Sequence, residues 1–436
     1  MFANNKMREN SGRLIKIYRE RMHQGSKDKR FSCNEFILAT KDHPFYEIVE
    51  GEPVCSRATL NRLERGQIIK DDELYVFFIE KLGFKVNDFP GVMSQVDLIS
   101  DELLKAIEKY DVGKIREIDN SIEILFKRAK YYFYYSNIYE VFKIITNYYL
   151  YVGYPKKDTA DLMIKVRFIL NSKLEELLLN ILFDYFYYWD SNMYIAEDIY
   201  QNLICFKNDS KISAYFIAGW LTYKEKWFDA LEITNDAIEY YDKLNSNYHL
   251  GILYFTKALA LHTGNKENVK YYFDKSIKCL SLANGTLRDK KLEKNYFNIG
   301  FHYYYDKDYL AAIDYFKKYL EYNPPFTMHI LYILHCTEEL KTNELDDFFI
   351  KLKCDENKKN DICKVFYKYF LLKLNKAPEK EIENYIMHDI HKLLVSKYRS
   401  DNLINYFEFE LNKLVKVTKC YKDLKNFNDF TSYKID

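Results

Sequence analysis

One stretch of the sequence, residues 296–324, constrains the fold most, because its aromatic and small residues recur at the spacing of two packed helices. Gly300 and Ala312 are small enough for two antiparallel helices to approach closely. Tyr303 and Phe316 would fill the space around that contact, and Pro324 would end the second helix. The pattern predicts a helical hairpin, and its positions are Tyr296, Ile299, Gly300, Tyr303, Ala312, Phe316 and Pro324.

This spacing resembles the signature of the tetratricopeptide repeat (TPR). The second helix of this signature is marked by Ala312 and, four residues later, Phe316. Weaker copies of this pair recur at intervals of 33 to 43 residues. The resemblance implies a right-handed α-solenoid of roughly seven or eight hairpins. Less regular hairpins are expected near residues 127–150, 361–394 and 402–425. The markers begin at Ala196, Ala230, Val269, Ala312 and Leu345.

Composition favours the same fold class. The chain has 42 Tyr and 31 Phe but only 13 Gly and 7 Pro, which indicates a nearly all-helical protein with short turns. Eight scattered cysteines without a CxxC pair indicate reduced thiols, mostly buried, in a cytoplasmic protein. No secretory signal and no membrane-spanning segment is expected.

Charge is balanced overall but uneven along the chain. The net charge of +1 excludes a protein that binds nucleic acid by bulk charge alone. The first thirty residues nevertheless carry nine Lys or Arg against three Asp or Glu. This excess predicts a basic N-terminal face.

The N-terminal part, residues 11–83, is expected to form a small helical domain. The first helix should span about residues 11–23. Ser32 and Glu35 form a capping box that opens a second helix near residues 32–40, with Phe36 and Ile37 facing inward. Residues 41–54 could form an inserted hairpin; in an alternative register, residues 44–50 are the second helix instead.

Two further helices complete this part. Ser56 should cap a helix over residues 57–65, ended by Gly66. Asp71 or Asp72 should cap another, which runs to residue 82 and is closed by Gly83. We therefore predict an N-terminal domain at 1–83, a linker at 84–97 that contains a Pro-Gly pair, and a helical repeat domain at 98–436.

Residues 55–66 resemble the recognition helix of the XRE-type helix-turn-helix family, in which a Ser- or Thr-rich helix ends in a Leu-Glu-x-Gly run. Ala58, Leu60 and Leu63 should pack inward, and the resemblance implies that Glu64 holds the helix against its neighbour. Arginine bonds guanine, asparagine bonds adenine and a hydroxyl at a helix start binds phosphate. About ten extra residues precede this helix compared with the family. The predicted DNA-binding residues are Ser56, Arg57, Thr59, Asn61, Arg62 and Arg65.

In a TPR hairpin the first helix lines the concave groove, so its outward face meets the ligand. Such a lining suits a short, extended, largely apolar peptide, and Asn298 would grip the peptide backbone because one amide supplies donors and an acceptor. The aromatic residues have an alternative role as core between repeats. The predicted peptide-binding residues are Tyr215, Tyr223, Lys294, Phe297, Asn298, Phe301, Tyr304 and Tyr305.

An XRE-type head followed by a TPR array resembles the RRNPP group of peptide-sensing regulators of Gram-positive bacteria, such as the NprR, PlcR and PrgX types. The resemblance implies a cytoplasmic, homodimeric quorum-sensing transcriptional regulator that binds operator DNA under the control of a signalling peptide. One alternative is a TPR interaction module that sequesters a partner protein, as the Rap members do. Another is a DNA-binding regulator whose array only dimerises.

No catalytic chemistry is expected. His388 and His391 are three residues apart but have no third ligand nearby in sequence, so we predict no metal site. Glycine-rich phosphate loops and hydrolase motifs are lacking. We predict neither a cofactor nor an enzymatic activity.

Overall fold

The computed structural model describes residues 4–26, 29–42, 55–89, 91–206, 210–261, 266–322, 329–340, 361–396 and 401–431. Within these ranges the regular structure is helical, which confirms the all-α prediction there. The chain divides into two compact units, Met1–Lys291 and Leu292–Asp436. No helix in the described part of the chain is long and apolar enough to cross a membrane.

In the N-terminal part of the first unit, the described residues form four α-helices. Ser32 and Asp71 cap the second and fourth helices by accepting hydrogen bonds from backbone N–H groups one turn ahead. Phe36 and Ile37 are buried, as predicted. Residues 43–54, which include most of the predicted hairpin and its alternative, lie outside the described residues. The helices are α1 (Asn5–Ser26), α2 (Cys33–Leu38), α3 (Arg57–Glu64) and α4 (Asp72–Lys81).

Ten further helices complete the first unit up to residue 282 and pack as consecutive hairpins in a solenoid-like arrangement. Small residues set the close contacts between paired helices. An added Cβ at Gly251 would stand 2.5 Å from the Leu280 side chain. The helices are α5 (Val92–Glu108), α6 (Val112–Leu125), α7 (Phe133–Tyr151), α8 (Lys157–Val166), α9 (Ser172–Asp184), α10 (Met193–Leu203), α11 (Ala214–Tyr223), α12 (Trp227–Lys243), α13 (Asn247–Ala260) and α14 (Lys266–Leu282).

Four of the predicted marker residues lie in the described part of the chain, on second helices, and are buried as expected: Ala196, Ala230, Val269 and Ala312. The prediction of a hairpin near residues 127–150 is wrong, because α7 runs unbroken through most of it. Helix α7 buries aromatic and aliphatic residues on several of its sides. Its pattern of apolar residues therefore does not show where one helix ends and another begins.

The predicted linker, 84–97, is helical from Val92 onward, since Gly91 with φ +89° begins α5. Its earlier residues pack against the array. The Phe84 ring lies 4.9 Å from Tyr18 and 5.1 Å from Phe133, and these two rings are 5.3 Å apart. The first part of the predicted linker therefore belongs to a packed aromatic cluster of Tyr18, Phe84 and Phe133.

Helix α15 (Thr286–Tyr305) crosses from the first unit into the second. In the second unit, an added Cβ at Gly300 would stand 2.7 Å from the Phe316 ring, so the predicted close hairpin contact is present. Pro324 and Leu345 lie outside the described residues. The remaining helices are α16 (Tyr309–Tyr322), α17 (His329–Leu340), α18 (Asp361–Leu374), α19 (Glu379–Tyr385), α20 (His391–Ser396), α21 (Asp401–Thr418) and α22 (Tyr421–Thr431).

The later hairpins near 361–394 and 402–425 are confirmed as helix pairs, with a π-helical turn, Ile386–Ile390, joining α19 to α20. The cysteines differ from the prediction. Six thiols are described and all are free, but only Cys55 and Cys336 are buried.

Candidate functional site

The outer face of α3 carries the residues predicted to bind DNA. Ser56, Arg57, Asn61, Arg62 and Arg65 are exposed and Thr59 is half-buried, so the structure brings all six to one short helix and its ends. Ala58, predicted to pack inward, is exposed. The sole carboxylate of the helix, Glu64, is buried. The outer face therefore presents three guanidinium groups and an amide without a neighbouring acid from its own helix.

Local hydrogen bonds fix the start of this face. Ser56 caps α3, because its Oγ accepts a hydrogen bond of 3.1 Å from the N–H of Thr59. The two hydroxyl oxygens are 3.0 Å apart, and Arg62 Nη2 donates to Thr59 Oγ1 at 3.4 Å. Gly66, with φ +78°, ends the helix in a conformation that favours glycine.

The inner face of α3 is anchored to α1 by a buried ion pair. Glu64 accepts hydrogen bonds from Arg19 Nε at 2.6 Å and from Arg19 Nη2 at 3.0 Å, and each side chain is only 5% exposed. Burial alone would lower the pKa of Arg19, but the hydrogen bonds and charge of Glu64 outweigh it and raise that pKa. The implied role of Glu64 as the residue that fixes the helix is consistent with this contact.

A close backbone contact sets the distance between α1 and α3. A Cβ added at Gly12 would lie 2.1 Å from the carbonyl oxygen of Leu63, which no side chain could tolerate without a shift. Leu60 and Leu63 are fully buried beside this contact. The position of α3 is therefore determined by three features: an ion pair, a glycine and two leucines.

The predicted basic N-terminal face is partly used for folding. Arg8 forms an ion pair with Asp72 of α4, with 2.7 Å between Nε and Oδ1, and Arg19 is paired with Glu64. Lys6, Lys16 and Arg21 remain exposed on α1. Part of the exposed positive charge of this region thus comes from α3 and from selected positions of α1.

The predicted peptide-binding residues are divided between the two units. In the first unit, Tyr215 is buried with the Lys291 ammonium 5.0 Å from its ring centre, whereas Tyr223 is half exposed. The other six lie on α15 beyond Leu292, in the second unit. Their role in binding stays a prediction.

Several of those six pack against neighbouring helices. The Phe297 and Phe301 rings are 4.7 Å apart, and Phe301 also contacts Tyr332 of α17 at 4.5 Å. The Tyr304 hydroxyl lies 2.7 Å from His335 Nδ1. By contrast, Lys294 and Asn298 are half-buried and Tyr305 is exposed. The Phe301 and Tyr304 side chains thus contact α17.

A second polar site, missed in the sequence, lies inside the first unit. Glu176, Asn180 and Asp184 follow one another at four-residue spacing along one face of α9, and all three are almost completely buried. We call these three residues the α9 polar stripe. The signal was present: three polar residues at helical spacing interrupt a leucine-rich segment.

The two carboxylates of the α9 polar stripe have partners. Asp184 accepts hydrogen bonds from the hydroxyls of Tyr148, at 2.8 Å, and Tyr154, and the Lys291 Nζ is 3.5 Å away. Glu176 accepts a hydrogen bond from Ser213 Oγ at 2.7 Å. Burial first, and the charge of Asp184 second, raise the pKa of Tyr148 well above its ordinary value.

The central amide of the stripe differs. Asn180 is 0% exposed, and neither its Oδ1 nor its Nδ2 has a hydrogen-bond partner among the described residues. An unsatisfied buried polar group costs about 1–3 kcal/mol. The Asn180 amide is therefore an unfavourable feature of the described core.

Comparison with protein families, with curated proteins and with solved structures finds no match to this chain.

Proposed function

We propose that this chain is a cytoplasmic transcriptional regulator that reads operator DNA with α3 of an XRE-type helix-turn-helix domain. The observation that carries the proposal is the exposed face of α3, which combines three arginines and an asparagine with no exposed carboxylate. Its opposite face is locked to α1 by the Arg19–Glu64 pair. A rigid, basic helix with free hydrogen-bonding side chains is suited to the DNA major groove.

Each outer residue has a role in this proposal. Arg57 and Arg62 bond guanine edges, and Asn61 bonds adenine. Ser56 and Thr59, at the start of the helix, contact a phosphate, where the positive end of the helix dipole adds to the attraction. Arg65 contributes a further phosphate contact. A homodimer would present two such heads to an operator with dyad symmetry.

We further propose that the helical array is TPR-like and binds a short linear signalling peptide that controls DNA binding. The half-buried carboxamide of Asn298 on α15 supports this, because an extended peptide offers a backbone C=O and N–H in the pairing that a carboxamide needs. This placement is the one predicted from the sequence.

The DNA proposal is tested by fluorescence anisotropy of the purified protein on its own upstream DNA at physiological salt, with a scrambled duplex alongside. We expect tight binding to the upstream duplex, lost in the Arg57→Ala/Arg62→Ala variant. Arg116→Ala/Arg128→Ala, which removes two exposed arginines from the array, is the matched control and should bind normally.

Equal, weak binding to both duplexes by the wild type would contradict autonomous sequence reading. If added peptide then failed to restore specificity, the module that regulates a partner protein would become the better proposal. Normal binding by the Arg57→Ala/Arg62→Ala variant would show that α3 is not the reading helix.

The peptide proposal is tested with overlapping short synthetic peptides from any small open reading frame beside the gene. A peptide that raises the melting temperature of the wild type should lose this effect in Asn298→Ala. An unchanged response in that variant would show that the peptide site does not include Asn298. If no peptide acts on a DNA-binding protein, the array that only dimerises is favoured.

A further inference from the structure

Three side chains of the second unit that are typical metal ligands converge at one point. Glu383 of α19, Cys420 before α22 and Asp423 in the first turn of α22 place one ligand atom each within 4.8 Å of one another. The residues come from two separate stretches of the chain, so their convergence is a product of the fold. A thiolate with two carboxylates is a donor set that suits Zn²⁺.

The environment of Glu383 is unusual for a carboxylate that binds no metal ion. Its side chain is 0% exposed, and neither carboxylate oxygen accepts a hydrogen bond from the described residues. An ionised carboxylate is costly to bury unless it is paired and hydrogen-bonded or coordinates a metal. Among the described residues, its charge is paired with the Lys380 ammonium, 3.3 Å away, without a hydrogen bond.

A surface lysine supplies positive charge at this point. Lys380 Nζ lies 3.3 Å from Glu383 Oε2, 2.9 Å from Cys420 Sγ and 3.6 Å from Asp423 Oδ2. One ammonium thus contacts all three ligands, at the place where a bound ion would sit. Because the Lys380 side chain is 49% exposed, it has room to move into solvent when a metal displaces it.

We propose that Glu383, Cys420 and Asp423 bind a single zinc ion, with water as the fourth ligand. Zn–S bonds of about 2.3 Å and Zn–O bonds of about 2.0–2.2 Å in a tetrahedron set the donor atoms roughly 3.3–3.7 Å apart. In the structure the three donor atoms lie within 4.8 Å of one another. Rotation of the side chains would bring them to the shorter spacing of a zinc site. The ion would fasten α22 to α19, and the proposal is independent of DNA or peptide binding.

The test uses the full-length, reduced protein after treatment with a chelator. It is titrated with Zn²⁺ against a chromophoric chelator, and with Co²⁺ as a spectroscopic probe. We expect one tight equivalent and a thiolate-to-cobalt charge-transfer band. Cys420→Ser and the near-isosteric Glu383→Gln should lose both signals. Cys205→Ser, which alters an exposed thiol elsewhere, should keep them.

Lys380→Ala separates a metal site from a purely structural ion cluster. If the ammonium competes with metal, this variant should bind Zn²⁺ severalfold more tightly than the wild type. A charge cluster with no metal function would give no gain in affinity. The proposal is overturned if the wild type binds no metal saturably, or if one-equivalent binding survives Cys420→Ser.

Discussion

Tyr18 donates a hydrogen bond of 2.8 Å to Asn137 of α7, while the next residue, Arg19, holds Glu64 of α3. Neighbouring residues of α1 thus face opposite partners, one in the helical array and one in the candidate DNA-reading helix. A second contact, from Asn10 Nδ2 to the Tyr134 hydroxyl at 3.2 Å, strengthens the first junction. Helix α1 therefore contacts both α7 of the array and α3.

Removing one partner of the Arg19–Glu64 pair should cost more stability than the intact pair contributes. Glu64→Ala leaves a buried guanidinium without a counter-charge, and we expect unfolding by urea to show a loss of about 3–5 kcal/mol. Asp72→Ala, which breaks the solvent-accessible pair between Arg8 of α1 and Asp72 of α4, should cost much less, because water screens this pair. Equal losses in the two variants would contradict this assignment.

Gly12→Ala should push α3 away from α1, since the new Cβ would overlap the Leu63 carbonyl. We expect a loss of about 1–3 kcal/mol in unfolding free energy, together with weaker DNA binding. Gly219→Ala is the control, because a Cβ in that helix meets nothing within 4 Å. It should stabilise the protein by about 0.5–1 kcal/mol. A harmless Gly12→Ala would show that the α1–α3 contact is looser than described.

Asn180→Leu should raise the unfolding free energy by about 1 kcal/mol in the absence of ligand, since it removes an unsatisfied buried amide. Asn137→Leu removes a buried amide that donates to the Phe133 carbonyl at 2.8 Å and accepts from Tyr18. That variant should lose about 1–3 kcal/mol, because Tyr18 is left unpaired. Similar losses in both variants would mean that Asn180 is satisfied in the free protein.

His249 should make the protein less stable in mild acid. Burial lowers the pKa of His249 from 6.5 to about 3, with the ring stacked 4.3 Å from Tyr241 and Ser246 Oγ 2.9 Å from Nδ1. Only the unfolded state takes up this proton between those values, so stability falls as pH drops from about 6.5 towards 3.

His249→Phe keeps an aromatic ring in the stack and should flatten this part of the pH profile, as measured by urea unfolding at several pH values. The exposed His388 provides the control, and His388→Gln should leave the slope unchanged. An unchanged slope in His249→Phe would show that other groups carry the acid sensitivity.

Local signals in the sequence were sufficient for α3. Ser56 and Gly66 mark its ends by chemistry that acts within one turn, and both were identified correctly. The Pro-Gly pair before α5 was interpreted as a linker, although Gly91 serves there as the cap of a helix. Composition cannot separate these two uses of glycine.

Features that depend on distant parts of the chain were not predictable in this way. The neighbours of Phe301 and Tyr304 come from α17, so the sequence alone could not assign these rings to core or groove. Likewise, the spacing of Glu176, Asn180 and Asp184 is visible in the sequence. Only the fold shows that the two acids are satisfied and the amide is not.

The Tyr18, Phe84 and Phe133 rings have a practical consequence for dissecting this protein. A fragment cut after residue 83 would leave Tyr18 without both of its ring partners and expose an aromatic surface to water. Such a fragment is expected to aggregate, so the N-terminal four helices should be studied attached to α5–α7.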